Sequence, residues 1–244
     1  MVPARASHLD GIVLVQSGAY RRRSDGVDHI VDTHTGCFRR IGEEVSIANF
    51  TGEPEEFTLV ELSALVLEGL LASGALPNGP FSVTPEIDLA HRTLLTRLDH
   101  RDPDSTLERI IDLVGSIVLH RQPDVVRGSR PTTVSNWRRL VSDAIEVLHA
   151  TAGDVSVRTL ARRIGSSPFH LSRVFTAVTG STISQYRMRM RVRAALNRLS
   201  HGDEDLAVVA SAAGFFDHSH MTRCVVAQLG EPPSVLRQRL RREA

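Results

Sequence analysis

Apolar positions along the chain follow two periods. Up to Leu62 they come in short β-branched or alternating runs at residues 12–16 (IVLVQ), 19–23, 27–31, 37–41, 45–49 and 57–62. Asp25-Gly26 between the second and third runs is a hairpin signal, and Gly42-Glu43 and residues 51–54 separate the later ones. Short strands at near-even spacing predict a small sandwich or a partly closed barrel. From residue 63 the period becomes helical. Leu62, Leu65, Val66, Leu70 and Leu71 keep helical spacing until Gly74, and 81–84 could form a last strand. Helices are expected at 85–100 and 105–121, broken by residues 101–104. The second carries a wide stripe of Leu107, Ile110, Ile111, Val114, Ile117 and Val118. Such a stripe serves equally as a dimer contact or as packing against the chain's own sheet.

Residues 122–133 (QPDVVRGSRPTT) have the composition of a linker. A helix follows at 136–151, with Trp137, Leu140, Val141, Ala144, Ile145 and Leu148 on one side and Asp143 and Glu146 expected in solvent. Then comes SVRTLARRIGSSPFHLSRVFTAVTG at 156–180, which predicts a helix, a tight turn at Gly165 and a second helix. Ser156 and either Ser166 or Ser167 suit N-caps, and Pro168 suits the first position of a helix. In that second helix Leu171, Val174, Phe175 and Val178 share one face, and Phe169, Ser172, Arg173 and Thr176 the opposite one.

The unit recurs. Residues 209–214 repeat 160–165, His220-Met-Thr-Arg223 repeats His170-Leu-Ser-Arg173, and Gly230 repeats Gly180. The offset is 49 residues at the glycine of the turn and 50 at the arginine, so one residue has entered the second turn, Gly214-Phe-Phe-Asp217. Between the copies, 182–200 reads as one helix spanning roughly 28 Å, close to the ~34 Å of a duplex turn. Its Arg187, Arg189, Arg191 and Arg193 divide between two sides and are expected to be solvated, paired with acids or on phosphate. A last helix at 234–242 ends the chain with Arg237, Arg239, Arg241 and Arg242 as a basic tail.

A net charge of +1 conceals an asymmetry: residues 1–124 hold 11 Arg against 19 Asp and Glu, and residues 125–244 hold 18 Arg against 9. One half therefore suits a polyanion and the other does not. Every basic residue is Arg, with no Lys. Cys37 and Cys224 fall in different halves, which argues against a disulfide framework and for a reducing, cytoplasmic setting. No apolar run reaches the ~18 residues of a membrane helix, and the first residues lack the apolar core of a signal peptide. No metal or cofactor is expected: His29 and His34 lack metal-ligand spacing and read as ordinary strand or turn histidines.

Residues from about 135 to 242 resemble the DNA-binding domain of the AraC/XylS family of bacterial transcription regulators. The motifs are LARRIGSSPFHLSRVF, Thr179-Gly180, the Tyr186–Arg191 spacing, residues 210–215, DHSHMTR and GEPPSVLR. Residues 11–62 are more faintly similar to the cupin-like domains fused to that reader. The resemblance implies an α+β chain: a β-rich cupin-like regulatory or dimerisation domain at 1–121, a linker at 122–133, and a bipartite helix-turn-helix domain at 134–244. It implies base readout by Phe169, His170, Ser172, Arg173 and Thr176 in the first unit. In the second unit it implies His218, Ser219, His220, Thr222 and Arg223. The implied partner is double-stranded DNA, with RNA polymerase, a small-molecule effector and a second copy of the chain as further partners, and no membrane. Guanidinium forks at Arg173 and Arg223 suit guanine or phosphate, whereas His170, His218 and His220 serve packing as readily as readout.

The sequence departs from the family pattern at Thr176-Ala177 and Val226-Ala227, where basic residues are usual. It also departs at Val225, where an aromatic is usual, and at Leu236, where a Tyr is. Fewer phosphate contacts predict lower affinity and a flatter salt dependence, with a second unit that binds weakly or mainly positions the protein. Three readings compete: a transcription regulator, a DNA-tethered protein-interaction module without an effector, and a cupin-type enzyme. The enzyme needs a metal triad, a nucleophile motif or a phosphate loop, and the sequence offers none.

Overall fold

The computed structural model describes residues 2–3, 9–24, 26–50, 55–71, 75–77, 79–98, 102–119, 131–201 and 205–240. The first part is β-rich: β1 (Val2–Pro3), β2 (Asp10–Ser17), β3 (Ala19–Ser24), β4 (Val27–Asp32), β5 (Thr35–Arg39), β6 (Val45–Asn49) and β7 (Glu56–Leu62). There follow α1 (Ala64–Leu70), β8 (Pro80–Ser82), α2 (Pro85–Thr96) and α3 (Pro103–Leu119). The rest is helical: α4 (Pro131–Ala150), α5 (Val157–Arg163), α6 (Pro168–Thr179), α7 (Ile183–His201), α8 (Leu206–Ala212), α9 (His218–Leu229) and α10 (Pro233–Leu240). This is the expected α+β arrangement, a half-barrel followed by two helix-turn-helix units on a linking helix.

The strands form one antiparallel sheet ordered β1-β6-β3-β4-β5-β2-β7, with β8 paired to β5. Strand β2 shows why both faces are covered. Ile12 and Leu14 enter a core with Phe38, Phe81, Ile87, Leu113, Val114 and Ile117, while Val13 and Val15 join Tyr20, Val31 and Cys37 on the other side. The period-2 alternation of a strand sends successive side chains to opposite faces. The Tyr20 side chain of β3 also reaches Cys37 of β5, two strands away, as in a sheet curled into a half-barrel. Of the stripe on α3, Val114 and Ile117 are buried in this core and Ile110 and Val118 pack against it, while Leu107 is exposed; Leu113, outside the stripe, is buried with them.

Several boundaries shift. The helix expected at 136–151 begins at Pro131, because proline is well tolerated in a first turn. The last helix begins at Pro233 for the same reason. The short β1 was not foreseen; two residues carry no periodicity. The Asp25 half of the hairpin turn, residues 51–54, the helix stop at Gly74, linker residues 122–130, and Arg241 and Arg242 lie outside the described residues.

The helical part is not free of the sheet. Ala19 of β3 and Ile30 of β4 belong to the same core as Val141, Leu148, Leu160, Phe175 and Tyr186. Leu89 of α2 packs against the core of the second unit, built from Leu196, Val209, Met221, Val225 and Leu236. Val225 and Leu236, where the family pattern favours aromatics, are fully buried aliphatics.

Candidate nucleic-acid interface

Each unit is assembled by local capping. In the first, Ser156 Oγ accepts from the Thr159 N–H at 3.1 Å and starts α5. Gly165 at φ +67° lets the chain reverse, and the Ser166 N–H returns to the Ala161 carbonyl at 2.8 Å. A left-handed residue followed by this six-to-one bond is the Schellman ending of a helix. Ser167 Oγ then accepts from the His170 N–H at 3.2 Å, Pro168 opens α6, and left-handed Gly180 closes it.

The second unit repeats the chemistry with different residues. Asp205 caps α8, Gly214 turns at φ +77°, and the Phe215 N–H returns to the Ala210 carbonyl at 2.9 Å. Asp217 caps α9 through the His220 N–H at 2.6 Å. Its carboxylate stands at the positive end of the helix, where negative charge is favoured. Ser166 and Phe215 are therefore equivalent, and the additional residue of the second turn is Phe216.

The faces fall where the spacing places them. On α6, Leu171, Val174 and Phe175 are buried. Ser172, Arg173 and Thr176 are exposed, Phe169 is 79% exposed, and His170 is half-buried. Thr176 Oγ1 donates to the Ser172 carbonyl at 3.0 Å, leaving its methyl and lone pairs outward. On α9, Met221 and Val225 are buried, and His218, Ser219 and Arg223 are exposed. Thr222 and His220 are half-buried. Thr222 Oγ1 lies 3.4 Å from His218 Nε2. The His220 ring stands edge-on to Phe215, and its Nδ1 accepts from the Phe216 N–H at 3.4 Å. That bond leaves the proton of a neutral His220 on the outward Nε2. Arg173 and Arg223 have no ion-pair partner among the described residues. Two exposed guanidiniums, each amid hydroxyl and imidazole groups, are what base edges and phosphates require.

Behind these faces lie two buried polar knots that sequence reasoning missed. In the first, Asp32 of β4 is fully buried. It accepts from Tyr186 Oη of α7, from His149 Nε2 of α4 at 3.0 Å and from the His34 N–H at 2.8 Å. Burial alone would raise its carboxyl; His34 and the bonds from His149 and His34 hold it well below the usual carboxylate range. Burial, aided by the charge of Arg193, pushes His34 down to about 4, and its ring stacks on Tyr186. Burial and the Asp32 charge raise the Tyr186 phenol, so it remains a donor.

In the second knot, Asp88 of α2 meets Arg92 Nε at 3.2 Å and Arg193 Nε of α7 at 3.6 Å. Arg193 also donates to the Val83 carbonyl at 2.6 Å, and Arg92 to Asn197 Oδ1 of α7 at 3.1 Å. Both carboxylates come from the β-rich part, and α4 or α7 helps to satisfy each. No local pattern in the sequence signalled them, since each joins residues far apart in the chain.

One expectation is corrected. Asp143 and Glu146 are not simply solvated: Arg21 of β3 reaches them at 3.0 and 2.6 Å, because α4 lies against that strand. Arg193 takes the acid-paired alternative, with Asp88, and is 4% exposed, because its side of α7 faces α2. Of the two histidines read as ordinary, His34 belongs to the Asp32 knot. Burial, then the charge of Arg138, pushes His29 down to about 4. Among the described residues no three His, Cys, Asp or Glu side chains are grouped to hold a metal ion, and no helix is long and apolar enough to cross a membrane.

The sequence model of the helix-turn-helix domain family matches residues 160–239, which run from the first helix of unit one into α10. The MmsAB operon regulatory protein of Pseudomonas aeruginosa is 31% identical over 96 residues, 39% of this chain. The match spans 30% of that relative's own length. Among solved structures, a transcriptional regulator of the AraC-type DNA-binding-domain proteins from Chromobacterium violaceum is 22% identical, with a TM-score of 0.40. That likeness covers 43% of this chain and 95% of the other. ToxT from Vibrio cholerae is 8% identical, with a TM-score of 0.39, over 96% of this chain and 91% of its own.

Proposed function

We propose that the chain is a sequence-specific transcription regulator whose helix-turn-helix domain is of the AraC/XylS type. The observation that carries this reading is the pair of capped recognition helices, each presenting an exposed arginine without an ion-pair partner among the described residues. In this reading α6 and α9 enter successive major grooves on one side of a duplex. The 19 residues of α7 space them at roughly 28 Å. Phe169, His170, Ser172, Arg173 and Thr176 read one half-site, and His218, Ser219, His220, Thr222 and Arg223 the other.

The β-rich part, residues 1–121, is the regulatory element and no enzyme. Its Asp32 and Asp88 are bonded to α4 and α7, so a small effector or a second copy of the chain that moved β4 or α2 would move the helices behind the recognition faces. Coupling of this kind needs only that the ligand prefer one of two arrangements.

The test is selection of duplexes from a random pool by the full chain. The expected outcome is a bipartite site whose two elements lie about one helical turn apart. A pool that stays random through successive rounds refutes the reading.

A further inference from the structure

Resting on the DNA-binding reading, we infer that Phe216 is a further specificity-determining residue, which packs on the 5-methyl group of a thymine in the half-site of the second unit. Phe216 is 90% exposed, beyond any other large apolar side chain described. It is the additional residue of the second turn, inserted between Phe215, which is buried, and Asp217, which caps α9.

Its backbone is held beside α9, since its N–H donates to His220 Nδ1 at 3.4 Å. His220 stands one turn before Arg223 on the same side of α9. The exposed ring therefore leaves the chain from a turn that adjoins the surface carrying the arginine.

The two units also supply this apolar group in complementary ways. Counted from the N-cap, Phe169 is the second residue of α6 and is 79% exposed. The same position of α9 is Ser219. The second unit thus lacks an aromatic where the first has one, and offers one from the turn, three residues earlier.

The thymine methyl is the one apolar group that the major groove displays, and aromatic or aliphatic side chains recognise it by contact. A protein partner is a poorer occupant. Phe216 is flanked by the exposed Asp217 and His218, so it is a single ring with a polar rim, far short of the several hundred Å² of a docking patch.

The experiment measures full-chain binding to the duplex that it selects, by fluorescence anisotropy, with thymine or deoxyuridine at each position of the second half-site. Removing the methyl at one position should weaken the native protein about four- to tenfold. Phe216→Ala should lose a similar factor on the thymine duplex and nothing further on the deoxyuridine duplex. Phe216→Leu should keep most of the affinity. Circular dichroism should show all three proteins folded, since the side chain packs on nothing. Phe216→Ala that binds like the native protein, or that loses equally on both duplexes, overturns the assignment while leaving the regulator reading intact. A chain that selects no duplex overturns both.

Discussion

Arg173 and Arg223 occupy equivalent positions, one turn past the helix start, yet their surroundings differ. Arg173 is accompanied by exposed Phe169, Ser172 and Thr176, whereas Arg223 has a half-buried Thr222 beside it and Val226 beyond. Arg173→Ala should weaken binding to a selected duplex about 10- to 100-fold, and Arg223→Ala by a smaller factor, since a good bidentate contact is worth about 1–3 kcal/mol. Titration of each variant at two salt concentrations checks this, and affinities equal to the native value would refute the face assignment. Asp32 makes the opposite kind of contribution, wholly internal. Asp32→Asn keeps the shape but replaces an acceptor-only carboxylate with a group that must point a donor at Tyr186, His149 or the His34 N–H. Disturbing one member of a buried charged network typically costs about 3–5 kcal/mol, so the urea midpoint should fall steeply. Tyr186→Phe, which removes one donor, should cost less, about 1–3 kcal/mol.

At the scale of elements, the two recognition units were legible because their information is local. A cap, a glycine, a proline and a 3.6-residue apolar period occur within about a dozen residues of one another. The strands were legible for the same reason, from alternation and turn residues. What could not be read was contact between elements distant in the chain. Nothing near Asp32 announces Tyr186, 154 residues away, and nothing near Arg21 announces Glu146. Gly36 is a further case, silent in the sequence. A Cβ there would lie 2.2 Å from Phe81 Cζ and 2.8 Å from the Val13 carbonyl. The missing side chain is what lets the ring from β8 lie over β5. Gly36→Ala must push that ring out of the core, and overpacking of this kind costs about 1–3 kcal/mol. Thermal unfolding should show the loss, and an unchanged midpoint would mean that β8 moves aside freely.

For the molecule as a whole, buried histidines set the response to acid. Burial pushes His91 and His34 down to about 4, so both are neutral in the folded chain near pH 7. In the unfolded chain each takes a proton near pH 6.5. Above that value the two states bind the same protons and stability is unaffected. Between about pH 6.5 and 4 the unfolded chain holds protons that the folded one refuses, so stability falls as pH falls. Each such histidine contributes about 1.4 kcal/mol per pH unit within that window. Urea unfolding at pH 7.5 and pH 5 should show the lower midpoint at pH 5; equal midpoints would place these rings in water.

The core of the first unit has a practical consequence, because two of its buried members, Ala19 and Ile30, come from strands β3 and β4. Expressing the carboxyl-terminal reader by itself would uncover that seam, and would leave Tyr186 and Arg193 facing water where they now face carboxylates. Such a fragment should be stickier and less cooperative than its parent. Operator searches are therefore better made with the intact polypeptide than with the trimmed piece its boundaries invite.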